Sequence, residues 1–113
     1  MRKHKYSAVA TVVDGIRFAS KAEARRYQEL RLLERAGEIK ELELQPKYPL
    51  HAPVKGRTNV FERVGEYRAD FRYREGPQGL LVIEDVKGVR TDMFRWKKKH
   101  FEIQYGLSLT EIR

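Results

Sequence analysis

A run of four apolar residues, Leu80-Leu81-Val82-Ile83, passes directly into Glu84-Asp85-Val86-Lys87-Gly88. A short apolar run of this kind is the pattern of a strand buried at the centre of a sheet. The charged residues that follow are then carried by the same strand. Strand side chains alternate between the two faces, so Asp85 and Lys87 share one face while Glu84 and Val86 point to the other. A carboxylate and an ammonium are thus directed to one side of an otherwise apolar strand.

The neighbouring elements follow from turn and cap signals. Residues 6–13 carry alternating and β-branched side chains and meet Asp14-Gly15, a hairpin turn signal, with 16–19 as the return strand. Ser20-Lys21-Ala22-Glu23 matches a helix capping box, and Gly37 supplies the stop. On that helix Glu23, Tyr27, Leu30 and Glu34 share a face, with Leu33 beside it. Residues 39–50 read as a strand broken at Gln45-Pro46, 51–59 as a loop, and 60–73 as one long strand bent near Gly65. Thr91 caps a second helix that ends at Gly106. Its inner face is read as Met93, Phe94, Trp96, Lys97, Phe101 and Gln104, with Trp96 and Phe101 taken as core rather than as base-stacking platforms. Residues 107–112 form a last strand. After the hairpin the expected order is α-β-β-β-α-β, a mixed sheet flanked by helices in the α/β (α+β) class.

At 113 residues the chain has the length of one domain. It divides into a hairpin and basic arm over 1–19 and a core over 20–113. No stretch approaches the roughly 20 apolar residues that span a bilayer, and no apolar run of a secretory signal follows Met1-Arg2-Lys3-His4-Lys5. Cysteine is absent, which excludes a disulfide framework and a thiolate metal site and fits a reducing cytoplasm. His4, His51 and His100 are too scattered for a zinc site, and neither a glycine-rich phosphate loop nor a Ser-His-Asp order is present. Net charge is +8, from 24 Lys and Arg against 16 Asp and Glu. Plain solubility accounts for such a surplus as well as a polyanionic partner does. Clustering favours nucleic acid: Arg90, Arg95, Lys97, Lys98, Lys99 and His100 fall close together, and Arg2 to Lys5 form a second group.

The chemistry concentrates in Tyr67-Arg68-Ala69-Asp70-Phe71 and the strand that follows. If the two strands pair as a hairpin, Asp70 lies beside Asp85. Two neighbouring carboxylates repel each other and lose hydration unless a divalent cation sits between them. Mg²⁺ prefers carboxylates, a carbonyl such as that of Val86, waters and substrate phosphate, and Mn²⁺ is expected to substitute for it. Lys87 would position a metal-bound water or help to deprotonate it. Alone, an Asp-x-Lys pair is common on surfaces and contributes little. The spacing Glu84-x-x-Lys87 is a second register, but only Asp85 lies on the lysine's face.

These segments resemble the PD-(D/E)XK nuclease superfamily, whose core is αβββαβ and restriction-endonuclease-like. Ser20-Lys21-Ala22-Glu23, Gln45-Pro46, Tyr67-Arg68-Ala69-Asp70-Phe71 and Glu84-Asp85-Val86-Lys87-Gly88 carry the likeness, over roughly 18–106. The chain looks most like a branch of short phage and prophage proteins of unassigned function. It is also similar to Tn7-type transposon end-cleaving nucleases and, through Lys98-Lys99-His100, to phage endonuclease I enzymes that resolve four-way (Holliday) junctions. Ala69 stands where the motif has proline. The resemblance implies Asp70 and Asp85 as metal ligands, Lys87 as the catalytic lysine and Glu23 as a helix-borne carboxylate near the metal. Without it, Glu23 is simply the N3 member of the capping box.

Gln45 is a supporting residue or a strand-edge one. Lys21, Arg90, Arg95, Lys97, Lys98 and His100 are candidate DNA contacts, with a solvated helix face as the equal alternative for the helical ones. The function implied is a Mg²⁺-dependent DNA endonuclease, phage-derived, acting in recombination or DNA processing on branched DNA. Cutting two strands with one site per chain would require a homodimer. A nucleic-acid-binding module that keeps the fold without catalysis is the alternative.

Overall fold

The computed structural model describes residues 9–87 and 90–113. The basic group Arg2 to Lys5, the start of the expected first strand, and Gly88 lie outside the described residues. Strands β1 (Thr11–Val13) and β2 (Ile16–Phe18) pair antiparallel through Asp14 and Gly15. Both turn residues have positive φ, 52° and 74°, the conformation whose twist matches that of the flanking strands. The Tyr27 hydroxyl donates to Asp14 at 3.0 Å, which ties the hairpin to the helix that follows.

That helix, α1 (Lys21–Arg35), begins where Ser20 Oγ accepts the Glu23 amide at 3.1 Å. It ends at Gly37, in the left-handed region, with the Glu38 amide returning to the Leu33 carbonyl. Ala24, Tyr27 and Leu30 form its buried stripe. The remaining elements are β3 (Ile39–Leu44), β4 (Lys47–Pro53), β5 (Phe61–Arg68), β6 (Phe71–Glu75), β7 (Leu80–Val86), α2 (Asp92–Tyr105) and β8 (Leu109–Ile112).

The main sheet has the order β3-β6-β7-β8, antiparallel except for the parallel β7–β8 pair. Strand β7 is central, as its apolar start predicts, although Leu80 at its tip is exposed. Strands β4 and β5 form a separate antiparallel ribbon. Three expectations are corrected here. The strand expected at 39–50 is two strands in different sheets, parted at Gln45, whose φ is 52°. The loop expected at 51–59 begins only after Pro53, because β4 pairs with β5 through Pro53↔Phe61. The long strand expected at 60–73 breaks at Ala69-Asp70. There the Ala69 amide bonds the Pro46 carbonyl and the Asp70 amide bonds the Glu84 carbonyl, so the chain leaves one sheet and enters the other. With the ribbon set aside, the connectivity is α1-β3-β6-β7-α2-β8.

Each face of the main sheet has its own core. On the α1 side, Phe18, Tyr27, Leu30, Ile39, Phe71 and Tyr73 pack together. On the α2 side, Tyr48, Tyr67, Ile83, Phe94, Phe101 and Leu109 do so, with the rings of Tyr48, Tyr67 and Tyr105 4.7–5.6 Å from that of Phe101. Helix α2 starts with Thr91 Oγ1 accepting the Phe94 amide at 3.1 Å and ends at Gly106. Its buried face is narrower than expected. Only Phe94 and Phe101, two turns apart, are buried, whereas Trp96 is 75% exposed and Met93 also faces outward. Gln104, though exposed, is turned to β4, accepting the His51 amide at 2.8 Å and donating to the Pro49 carbonyl at 3.1 Å. Trp96 is about 200° around the helix from Phe94, so the two cannot face the same sheet. Lys98 and Arg90 meet Glu111 of β8 at 2.7 and 3.1 Å, fixing α2 against the sheet edge.

This division has a measurable consequence. Phe101→Ala should lower unfolding free energy by about 3–5 kcal/mol, and Trp96→Ala should change it by less than about 0.5 kcal/mol. Urea denaturation of both variants checks the assignment.

Candidate active site

The β6–β7 register pairs Phe71 with Glu84, which brings Asp70 to the end of β7. The Asp70 amide donates to the Glu84 carbonyl at 3.0 Å, and its Oδ2 accepts the Val86 amide at 2.7 Å. Its carbonyl accepts the Gln45 amide at 2.9 Å. Asp70 is therefore fixed where β3 leaves the main sheet and β6 enters it.

Asp85 is 1% exposed on the α2 face of β7. Its Oδ2 accepts the hydroxyl of Tyr67. Its Oδ1 has no hydrogen-bond partner, and Lys87 Nζ stands 3.3 Å away. The same ammonium lies 4.5 Å from the centre of the Phe94 ring, a cation–π contact that helps to hold it. Glu84, one residue earlier, points to the opposite face. Arg26 of α1 grips it through Nε at 2.8 Å and Nη2 at 2.6 Å, and the Tyr73 hydroxyl donates to it as well. Glu84 is thus fully engaged in holding α1 to the sheet, and Asp85 is the acid on the lysine's side.

Glu23 occupies the first turn of α1, half-buried. Burial raises its carboxyl pKa, opposed by the Ala19 amide; the Asp85 charge raises it further, while Lys87 and Arg68 lower it. Those influences bring Glu23 within electrostatic reach of both sheet residues. Asp70 is pushed up to about 8, first by burial, then by the close approach of Asp85, then by Glu23, against the lowering effect of the Val86 amide. A recess of about 150 Å³ opens beside these groups, with Glu23, Asp70, Gln45 and Arg17 on its wall.

The other candidates are placed differently. Arg90 and Lys98 are paired with Glu111, and Arg95 with Asp92 at 3.1 Å. His100 Nε2 is 2.8 Å from the His51 carbonyl. Lys21 and Lys97 make no ion pair among the described residues. Three residues near the acids had no assigned role in the sequence. Tyr67 and Arg68 lie inside the quoted strand segment, where alternation puts Tyr67 on an inward face, but nothing in the sequence signals Arg17.

Among the described residues, no three His, Asp or Glu side chains are already gathered closely enough to hold a metal ion unaided. Two carboxylates at short range do fit a hard divalent cation that takes its remaining ligands from water and phosphate. Asp85 Oδ1 is the feature that fits best, since this buried oxygen has the Lys87 ammonium at 3.3 Å but no hydrogen bond, which leaves it capacity for a cation.

Fold and site define a mixed α+β domain with an acidic cluster and one lysine at the end of its central strand. The chain belongs to the family described as protein of unknown function (DUF1064), whose model matches residues 3–112. No curated protein and no solved structure matches it.

The Arg26–Glu84 grip is testable apart from any activity. Glu84→Ala should cost about 3–5 kcal/mol in urea denaturation by leaving a partly buried guanidinium unpaired, and the double variant Arg26→Met/Glu84→Met should recover most of that loss.

Proposed function

We propose that this chain is a divalent-metal-dependent DNA endonuclease of the PD-(D/E)XK type. The observation that carries the reading is the meeting of Asp70, Asp85 and Lys87 at one end of the sheet, with a buried carboxylate oxygen left without a hydrogen bond. The connectivity α1-β3-β6-β7-α2-β8 agrees with the αβββαβ core of that superfamily. Asp70 and Asp85 would hold Mg²⁺ or Mn²⁺, with the Val86 carbonyl as a further ligand and Glu23 at the margin. Such an ion, when bound, lowers the pKa of a coordinated water and offsets charge on the phosphate.

The protein's own groups supply the rest. Tyr67 orients Asp85 by donating to one oxygen, which leaves the other directed at Lys87. The Lys87 ammonium, held between Asp85 and Phe94, can orient the attacking water and offset charge on the scissile phosphate. Arg68 and Arg17 border the same region and can hold neighbouring phosphates. Branched DNA is the first substrate to test because of the likeness to junction-resolving enzymes, and cleavage of both strands would require two copies of the chain.

The decisive assay incubates the protein with linear, nicked, flapped and four-way-junction DNA in Mg²⁺ or EDTA. Cleavage is expected with Mg²⁺ alone. Asp70→Asn and Asp85→Asn should abolish it, and Lys87→Ala should slow it by about 10²–10⁴-fold, each with an unchanged circular dichroism spectrum. Binding without any metal-dependent product would leave a non-catalytic binding module instead. Glu23→Gln separates the two roles of that residue: a helix cap tolerates glutamine in both folding and rate, whereas a metal-site carboxylate loses rate while folding survives.

A further inference from the structure

We infer that the outward face of α2 is a stacking platform for an unpaired DNA base, with Trp96 as the flat surface and Lys99 as its phosphate contact. The inference rests on DNA being the substrate, as proposed above, and adds the form of DNA that is preferred. Trp96, Lys99, His100 and Ile103 follow i, i+3, i+4, i+7 spacing and line one recess of about 450 Å³. It adjoins a second, of about 500 Å³, where Phe61 and His51 of the ribbon join His100 and Ile103. Trp96 is 75% exposed and Ile103 73% exposed, yet neither contributes to a core. An indole so placed serves no packing purpose.

Charge decides what covers it. Lys99 sits within the stripe and Lys97 beside it, and neither makes an ion pair among the described residues. A second copy meeting this face across a two-fold axis would bring lysine against lysine at the centre of the contact. An anionic partner with flat apolar faces meets no such penalty, and single-stranded nucleic acid has both properties: its bases stack on aromatic rings while cations follow its backbone. A paired base is already stacked within its duplex, so the platform selects unpaired ones. The α2 residue Phe94 touches Lys87, and Trp96 lies on the far side of the same helix, so a strand that reaches both must pass around α2.

Trp96 is the only tryptophan, so its fluorescence reports the contact directly. The full chain is titrated in EDTA with a dT oligonucleotide of roughly 12 nucleotides and with a blunt duplex of equal phosphate number. The oligonucleotide should quench Trp96 emission and the duplex should not. Trp96→Ala should weaken oligonucleotide binding, read by anisotropy of a labelled strand, about tenfold, and leave duplex binding within about twofold. Lys99→Ala should weaken both and reduce the salt slope by about one. Oligonucleotide binding with unquenched Trp96 overturns the platform and leaves the nuclease reading intact. Emission that shifts with protein concentration alone also overturns it, in favour of a second copy. Failure to bind the oligonucleotide in EDTA overturns the platform and leaves the nuclease reading to the Mg²⁺-dependent cleavage assay, whereas quenching without Mg²⁺-dependent cleavage supports the platform and removes only the nuclease.

Discussion

Glu84 and Asp85 are adjacent carboxylates in the central strand, each 1% exposed, and the surrounding structure is arranged around that fact. An unpaired ionised carboxylate in such surroundings costs several kcal/mol, a large share of the stability margin of a small domain, about 5–15 kcal/mol. The pleat sends the two acids to opposite faces, so each meets a separate set of partners. Glu84 receives a guanidinium fork and a tyrosine hydroxyl, which suffices for a structural carboxylate. Asp85 receives one hydroxyl and an ammonium at 3.3 Å, and one of its oxygens stays without a hydrogen bond. The contrast between neighbours in the same strand separates the acid that holds the fold from the acid that is left with capacity to bind something else.

Asp70 is brought to Asp85 by a crossing of the chain. Strand β3 leaves the main sheet at Gln45-Pro46 and β5 gives way to β6 at Ala69-Asp70. The two crossings are joined, since the Ala69 amide bonds the Pro46 carbonyl and the Gln45 amide bonds that of Asp70. Gln45 accepts a left-handed backbone to make this possible, which costs a non-glycine residue of order 1 kcal/mol. The ribbon thus does more than decorate the sheet: its base fixes the backbone of a candidate ligand, and its strand β5 supplies Tyr67, which orients the other.

Much of this was legible in the sequence where the signal was local. The Asp14-Gly15 turn, the Ser20 and Thr91 caps, the central position of β7 and the opposed faces of Glu84 and Asp85 all depend on residues a few positions apart. The break at 69–70 gave no such signal. Tyr67, Ala69, Phe71 and Tyr73 are all buried at a period of two, so the alternation runs on unbroken; yet the first pair packs in the α2-side core and the second in the α1-side core. Alternation records that residues face inward and says nothing about which interior they face. Arg26 and Glu84 are far apart in the chain, so only the tertiary fold could pair them. Trp96 misled for a simpler reason: its type suggests a core, whereas its angle from Phe94 places it in solvent.

The surplus of basic residues is likewise less informative as a total than in its distribution. Arg90 and Lys98 are spent on Glu111, Arg95 on Asp92 and Arg26 on Glu84. What remains beside the acids is Lys87 within the cluster, Arg68 near Glu23 and Arg17 on the wall of the recess. A phosphodiester approaching Glu23, Asp70 and Asp85 meets charges of its own sign. A uniform positive surface elsewhere would not relieve that repulsion at close range, because salt screens exposed charges beyond about 8–10 Å. Cations placed on the rim of the acidic cluster do relieve it, because they act within the screening distance. The arrangement of three basic side chains around the carboxylates, rather than the net charge, is therefore what makes the site compatible with a polyanionic substrate.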